Sequence, residues 1–116
     1  IRLHGSIYPV ELIIIDDNSN GDEVESITRF LITQQNVMHL LAPYGSALTG
    51  RASKVADEHG AVMVAPCASS PPVFIDRPRV FGTNSKSSAF LENAIKTVAL
   101  QSAFGTIAYL QEDLKF

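Results

Sequence analysis

Two short stretches of this chain set small hydroxyl residues on a tight backbone. Tyr44-Gly45-Ser46 stands directly before a helical pattern, and Cys67-Ala68-Ser69-Ser70 directly after a strand-like run. Such an arrangement suits a small carboxylate: the Ser46 and Ser69 hydroxyls, backbone N–H groups and the positive end of a helix can hold an anion without a full counter-charge. Spacing alone favours plainer roles, with Ser46 capping its helix and Ser69 or Ser70 closing a turn.

Other chemistries fit less well. Asp16-Asp17 follow an isoleucine run, as the acidic pair of a phosphoacceptor receiver domain does. A receiver also needs a carboxylate at the end of a later strand. Val37–Leu41 and Val62–Ala65 end without one, and Pro66-Cys67 stands where the phosphoacceptor belongs. Asp16, Asp17 and Asn18 therefore read as turn and helix-capping residues. Gly45-Ser46 lacks the second glycine of a nucleophile elbow, since Leu48 takes its place. Cys67 shares no motif with His4, His39 or His59 and reads as a small buried or loop thiol. His59, near a helix end, suits the helix dipole. There is neither metal-ligand spacing nor a glycine-rich phosphate loop, so no catalysis, metal or cofactor is expected.

At 116 residues there is room for one compact unit, and 46% hydrophobic residues can supply a core. A net charge of −3 without a basic run weighs against nucleic acid and acidic phospholipid as partners. The single cysteine excludes an internal disulfide and says nothing decisive about compartment. No apolar stretch reaches the roughly 18 residues of a membrane span.

These loops must be positioned by alternating strands and helices. Val10–Ile15 is a short apolar run rich in β-branched residues, read as a buried strand that ends at Asp16. Val24, Ile27, Phe30 and Leu31 recur at helical spacing from Asp22 to about Gln34. Val37–Leu41 reads as a strand, and Leu48, Ala52, Val55 and Ala56 mark a second helix that Gly60 ends. Ala61–Ala65 and Arg79–Phe81 read as strands, Phe90–Ala99 as a third helix, and Thr106–Leu110 as a last strand. This order predicts an α/β fold, a mostly parallel sheet with helices on both faces. Ligands of open parallel sheets bind beyond the carboxyl ends of the strands, where both serine loops fall.

Taken in order, Val10–Asp17, Leu41–Ser46, Ala61–Ser70, Arg77–Phe81 and Thr106–Asp113 resemble the type I periplasmic ligand-binding proteins. The nearest branch is that of the leucine/isoleucine/valine-binding and amide-binding receptors of ABC transporters. The resemblance implies a two-lobed, non-catalytic receptor that closes on a small ligand, an amino acid or related carboxylate or amide. It hands that ligand to a membrane permease from a periplasmic or cell-surface location; a signalling receptor of the same fold is the alternative output. It further implies that Ser46 and Ser69 bind the ligand's carboxylate and that the Cys67 carbonyl accepts from its amino group. Ala68 belongs to the same binding loop, and Tyr44 lines the cleft. Residues 1–83 would be part of the first lobe and 84–116 the start of the second, with an opening strand and helix before Ile1 and most of the second lobe after Phe116. Gly82 stands where many relatives carry Arg.

Overall fold

The computed structural model describes residues 1–101. The chain opens with a small antiparallel hairpin, β1 (Arg2–Leu3) and β2 (Ser6–Ile7). His4 and Gly5, both at positive φ, form its two-residue turn, the geometry that best matches the twist of paired strands.

Helix α1 (Gly21–Thr33) begins where the sequence pattern places it, and the preceding acidic segment forms its turn. The Asp16 and Asp17 carboxylates accept the backbone N–H groups of Asn18 (2.9 Å) and Ser19 (2.8 Å). The cap itself is Asn20, whose side chain accepts from the Asp22 and Glu23 N–H groups. The plainer reading of the acidic pair, as turn formers, thus matches the geometry.

Strands β3 (His39–Leu41), β4 (Val62–Ala65) and β5 (Val80–Gly82) form a parallel sheet in the order β3-β4-β5. Helix α2 (Ser46–Glu58) connects the first two and packs against α1. The register sets Leu40, Met63 and Val80 side by side on one face. There they join Val24 and Ile32 of α1 and Ala52, Val55 and Ala56 of α2 in a single core. The alanines let the two helices lie close to the sheet, and Met63, only 1% exposed, fills its centre. Across the outer surface of the helix pair, Arg51 reaches Asp22 (2.8 Å) and Glu25 (3.3 Å), and Arg29 reaches Glu58 (3.2 Å). These exposed pairs contribute little beyond fixing helix orientation, at most about 1 kcal/mol each.

The expected strand at Val10–Ile15 is not formed. The segment has no ladder partner among the described residues, although Leu12–Ile15 line one wall of an apolar cavity whose other walls are α1 and β3. Its side chains still alternate: Ile13 and Ile15 are about half as exposed as Leu12 and Ile14. The extended shape follows from the β-branched residues, but a strand also needs a neighbour for its backbone groups, and none is in place.

Helix α3 (Glu92–Gln101) follows a 3-10 turn at Ser87–Ala89 and packs against that turn, and no residue from Phe81 to Gln101 is buried. The expected strand Thr106–Leu110 lies outside the described residues. Gly82 has a steric reason: a Cβ there would stand 2.8 Å from Cζ of Phe74, whose ring fills the space that a longer residue would claim.

Candidate functional site

Both serine loops emerge at the carboxyl ends of adjacent parallel strands, Pro43–Gly45 after β3 and Pro66–Ser70 after β4. Parallel neighbours end on the same edge, so the topology brings residues more than twenty positions apart into one place.

The first loop is fixed by two features. Gly45, the residue before α2, adopts φ 82° and ψ 158°, a conformation open in practice only to glycine. Thr49, fully buried in the first turn, donates its hydroxyl to the Pro43 carbonyl at 3.0 Å. Between them they orient Tyr44 outward and Ser46 inward along the edge. Thr49 is not singled out by sequence pattern; its only signal is a hydroxyl three residues after Ser46, able to turn back onto the preceding loop.

Ser46 does not cap its helix. Gly45 holds the cap position and offers no side chain, while the Ser46 Oγ reaches the other loop and accepts the backbone N–H groups of Ser69 (3.2 Å) and Ser70 (3.1 Å). The first turn of α2 therefore carries neither a capping side chain nor an acidic residue, and its positive end faces the loop edge uncompensated. The plainer expectation for Ser46 fails because its hydroxyl is committed across the edge.

The second loop sits on a small core of its own, made by Ala65, Ala68 and Val73. The Ala68 methyl is fully buried there, so only its backbone can face a ligand. Cys67 is exposed and free. Its carbonyl accepts no backbone hydrogen bond among the described residues and is open to a donor. The Ser69 hydroxyl makes no hydrogen bond among the described residues, whereas the Ser69 carbonyl accepts the N–H of Ser87 at 2.9 Å. A second strap joins the Thr83 N–H to the Ala65 carbonyl at 3.3 Å. The stretch that leaves β5 is thus stitched along the binding loop. Tyr44 is 83% exposed, its ring standing free above the edge.

The structure brings Ser46, Cys67, Ala68 and Ser69 to one edge, with Tyr44 beside them. His4, His39 and His59 are not gathered there: His59 ends α2, and Arg29 Nη1 lies 3.0 Å from its Nε2. Among the described residues no group of His, Cys, Asp and Glu could hold a metal ion. The edge offers hydroxyls, N–H donors and a carbonyl, a set that can bind an amino acid's charged groups. Among the described residues it contains no paired nucleophile and base.

An open parallel sheet with hydroxyls and free backbone groups beyond its carboxyl edge has the place where ligands of such folds bind. A family model described as periplasmic binding protein matches residues 3–116, and the chain belongs to that family. A comparison with curated proteins finds no match. Among solved structures, the branched-chain amino acid transporter substrate-binding protein LivJ from Streptococcus pneumoniae, in complex with isoleucine, is 22% identical with a TM-score of 0.64, over 74% of this chain and 27% of that one. The leucine-binding protein LivK from Thermotoga maritima is 23% identical with a TM-score of 0.68, over 78% and 26%. An ABC transporter substrate-binding protein from Desulfitobacterium hafniense, in complex with Leu, is 18% identical with a TM-score of 0.71, over 78% and 28%. At these identities the likeness establishes the fold, which agrees with the type I periplasmic binding architecture expected from the sequence. This chain spans about a quarter of the length of each. The relatives are binding proteins rather than enzymes, in keeping with the expectation of no catalysis.

Proposed function

We propose that the chain is part of an extracytoplasmic solute-binding protein that captures an amino acid, or a related small carboxylate or amide, for uptake by an ABC-transporter permease. The observation that carries this reading is the Ser46 Oγ bridge to the Ser69 and Ser70 N–H groups, which joins the two loops into one polar edge. Accepting two N–H bonds leaves the Ser46 hydroxyl proton to donate. A ligand carboxylate would accept hydrogen bonds from that hydroxyl, from the free Ser69 hydroxyl and from the bare N–H groups at the start of α2. The Cys67 carbonyl would accept from its ammonium, with Ala68 contributing backbone and Tyr44 a wall. The solved relatives that hold isoleucine and leucine support an amino acid as ligand.

Residues 1–83 form part of one lobe and 84–116 begin the next. The loss of burial after Val80 and the position of α3 support that division. The straps from Thr83 and Ser87 to the binding loop give ligand capture a path to lobe closure, because a ligand that prefers the closed arrangement shifts the population towards it. Calorimetry on the full-length protein tests the site. Ser46→Ala and Ser69→Ala should each weaken amino-acid binding by about 1.5–3 kcal/mol, the worth of a charge-assisted hydrogen bond. Unchanged affinity in both variants refutes the assignment.

A further inference from the structure

Beside the serine edge, a cavity of about 430 Å³ lies between α2 and the Pro71–Arg77 segment, with Ser46 and Ser70 among its walls. Its size suits a small molecule. Although the chain is acidic, no carboxylate lines this cavity, whereas Arg51, Lys54 and Arg77 all do. Arg51 is neutralised from α1 by Asp22 and Glu25. The other two are not. Lys54 has no ion pair among the described residues. Arg77 is held by the carbonyls of Pro72 (3.1 Å) and Val73 (2.7 Å), neutral acceptors that fix its side chain and leave its charge uncompensated.

Gly50 adds an independent observation. A glycine in a helix interior is unfavourable, and packing does not demand one here, since a Cβ would meet nothing nearer than Val73 Cγ2 at 3.9 Å. Its effect is to leave the cavity open between Ser46 and Lys54. Those residues are eight positions apart on α2, about 12 Å along the axis, and helical side chains lean towards the N-terminus by about a turn. Lys54 lies about 80° around the helix from Ser46, and its long side chain can reach back along the cavity towards it.

We infer that this cavity is an anion subsite continuous with the serine edge, so that the ligand is a small compound with two acidic groups. One sits at Ser46 and Ser69 and the other between Lys54 and Arg77. The inference rests on the carboxylate reading of the serine edge given above. Glutamate and glutamine, nearly isosteric and differing by one charge, are the probes, titrated calorimetrically into the full-length protein beside leucine. The wild type should bind glutamate at least tenfold more tightly than glutamine. Lys54→Gln should collapse that ratio about ten- to a hundredfold, as expected for loss of a charge-assisted contact. Gly50→Leu, which fills the cavity, should collapse it too. Equal or tighter binding of glutamine by the wild type, or binding of leucine alone, with Ser46→Ala weakening whatever binds, overturns the subsite and leaves the serine edge standing. Binding unaffected by both Ser46→Ala and Ser69→Ala overturns the edge and the subsite with it.

Discussion

Replacing Ser46 by alanine separates two roles that one hydroxyl plays. In the folded chain it accepts from the N–H groups of Ser69 and Ser70 at 3.2 and 3.1 Å, in a half-buried setting. Each such bond contributes about 1 kcal/mol net, and water reaching the edge can replace part of it, so Ser46→Ala should destabilise the protein by about 1–2 kcal/mol. Ser69→Ala provides the contrast. Its hydroxyl makes no hydrogen bond among the described residues, so its removal should cost less than about 0.5 kcal/mol of stability. Urea unfolding of the full-length variants measures both values. Hydrogen exchange should show faster opening of the Ser69 and Ser70 amides in Ser46→Ala, and of these amides before those of β4. If Ser46→Ala is as stable as Ser69→Ala and the two amides keep their protection, the bridge does not hold the loops together and the account of the site is wrong.

Three further substitutions probe the scaffold. Met63→Ala empties the largest fully buried side chain of the sheet and should lower stability by about 2–5 kcal/mol in denaturant titrations, with the spread set by how far Leu40 and Val80 collapse into the space. Gly82→Ala drives a Cβ against the Phe74 ring and should cost about 1–3 kcal/mol; combining it with Phe74→Leu should recover most of the loss, and a failure to recover would point to the backbone instead of the ring. Asn20→Ala removes the cap of α1 and should cost about 1 kcal/mol, visible as a lower thermal midpoint, whereas Asn20→Asp should be nearly neutral.

The helices were legible because their signals are local. The apolar spacing of Val24, Ile27, Phe30 and Leu31 and the polar turn ahead of them bound α1 to within a residue or two, and Gly60 marks the end of α2. The strands β3, β4 and β5 were legible as apolar runs, and the parallel pairing of β3 with β4 followed from the intervening α2, whereas that of β4 with β5, joined without an α-helix, did not. The site was legible as two loops but not as one bridge. Nothing in Gly45-Ser46 distinguishes a serine that caps its own helix from one that reaches across, because the choice is made by the backbone of Gly45 and the anchoring hydroxyl of Thr49. The basic cavity was not legible at all: Lys54 and Arg77 meet only once the 71–77 segment has folded back against α2.

Val10–Ile15 shows why the strand expected there is not formed. Periodicity reports which faces a segment would present, and the alternation of Ile13 and Ile15 against Leu12 and Ile14 confirms that it presents them. Pairing is a property of two segments, and no residue pattern in one of them supplies the other's hydrogen bonds. The same distinction applies to the exposed apolar residues just before and within α3, Phe90, Leu91, Ile95 and Val98, whose helical spacing anticipates a face to be covered. The sequence therefore specifies α3 and the Ile run as apolar faces left largely exposed among the described residues, while the serine edge is held by Ser46, Thr49 and the ends of β3 and β4.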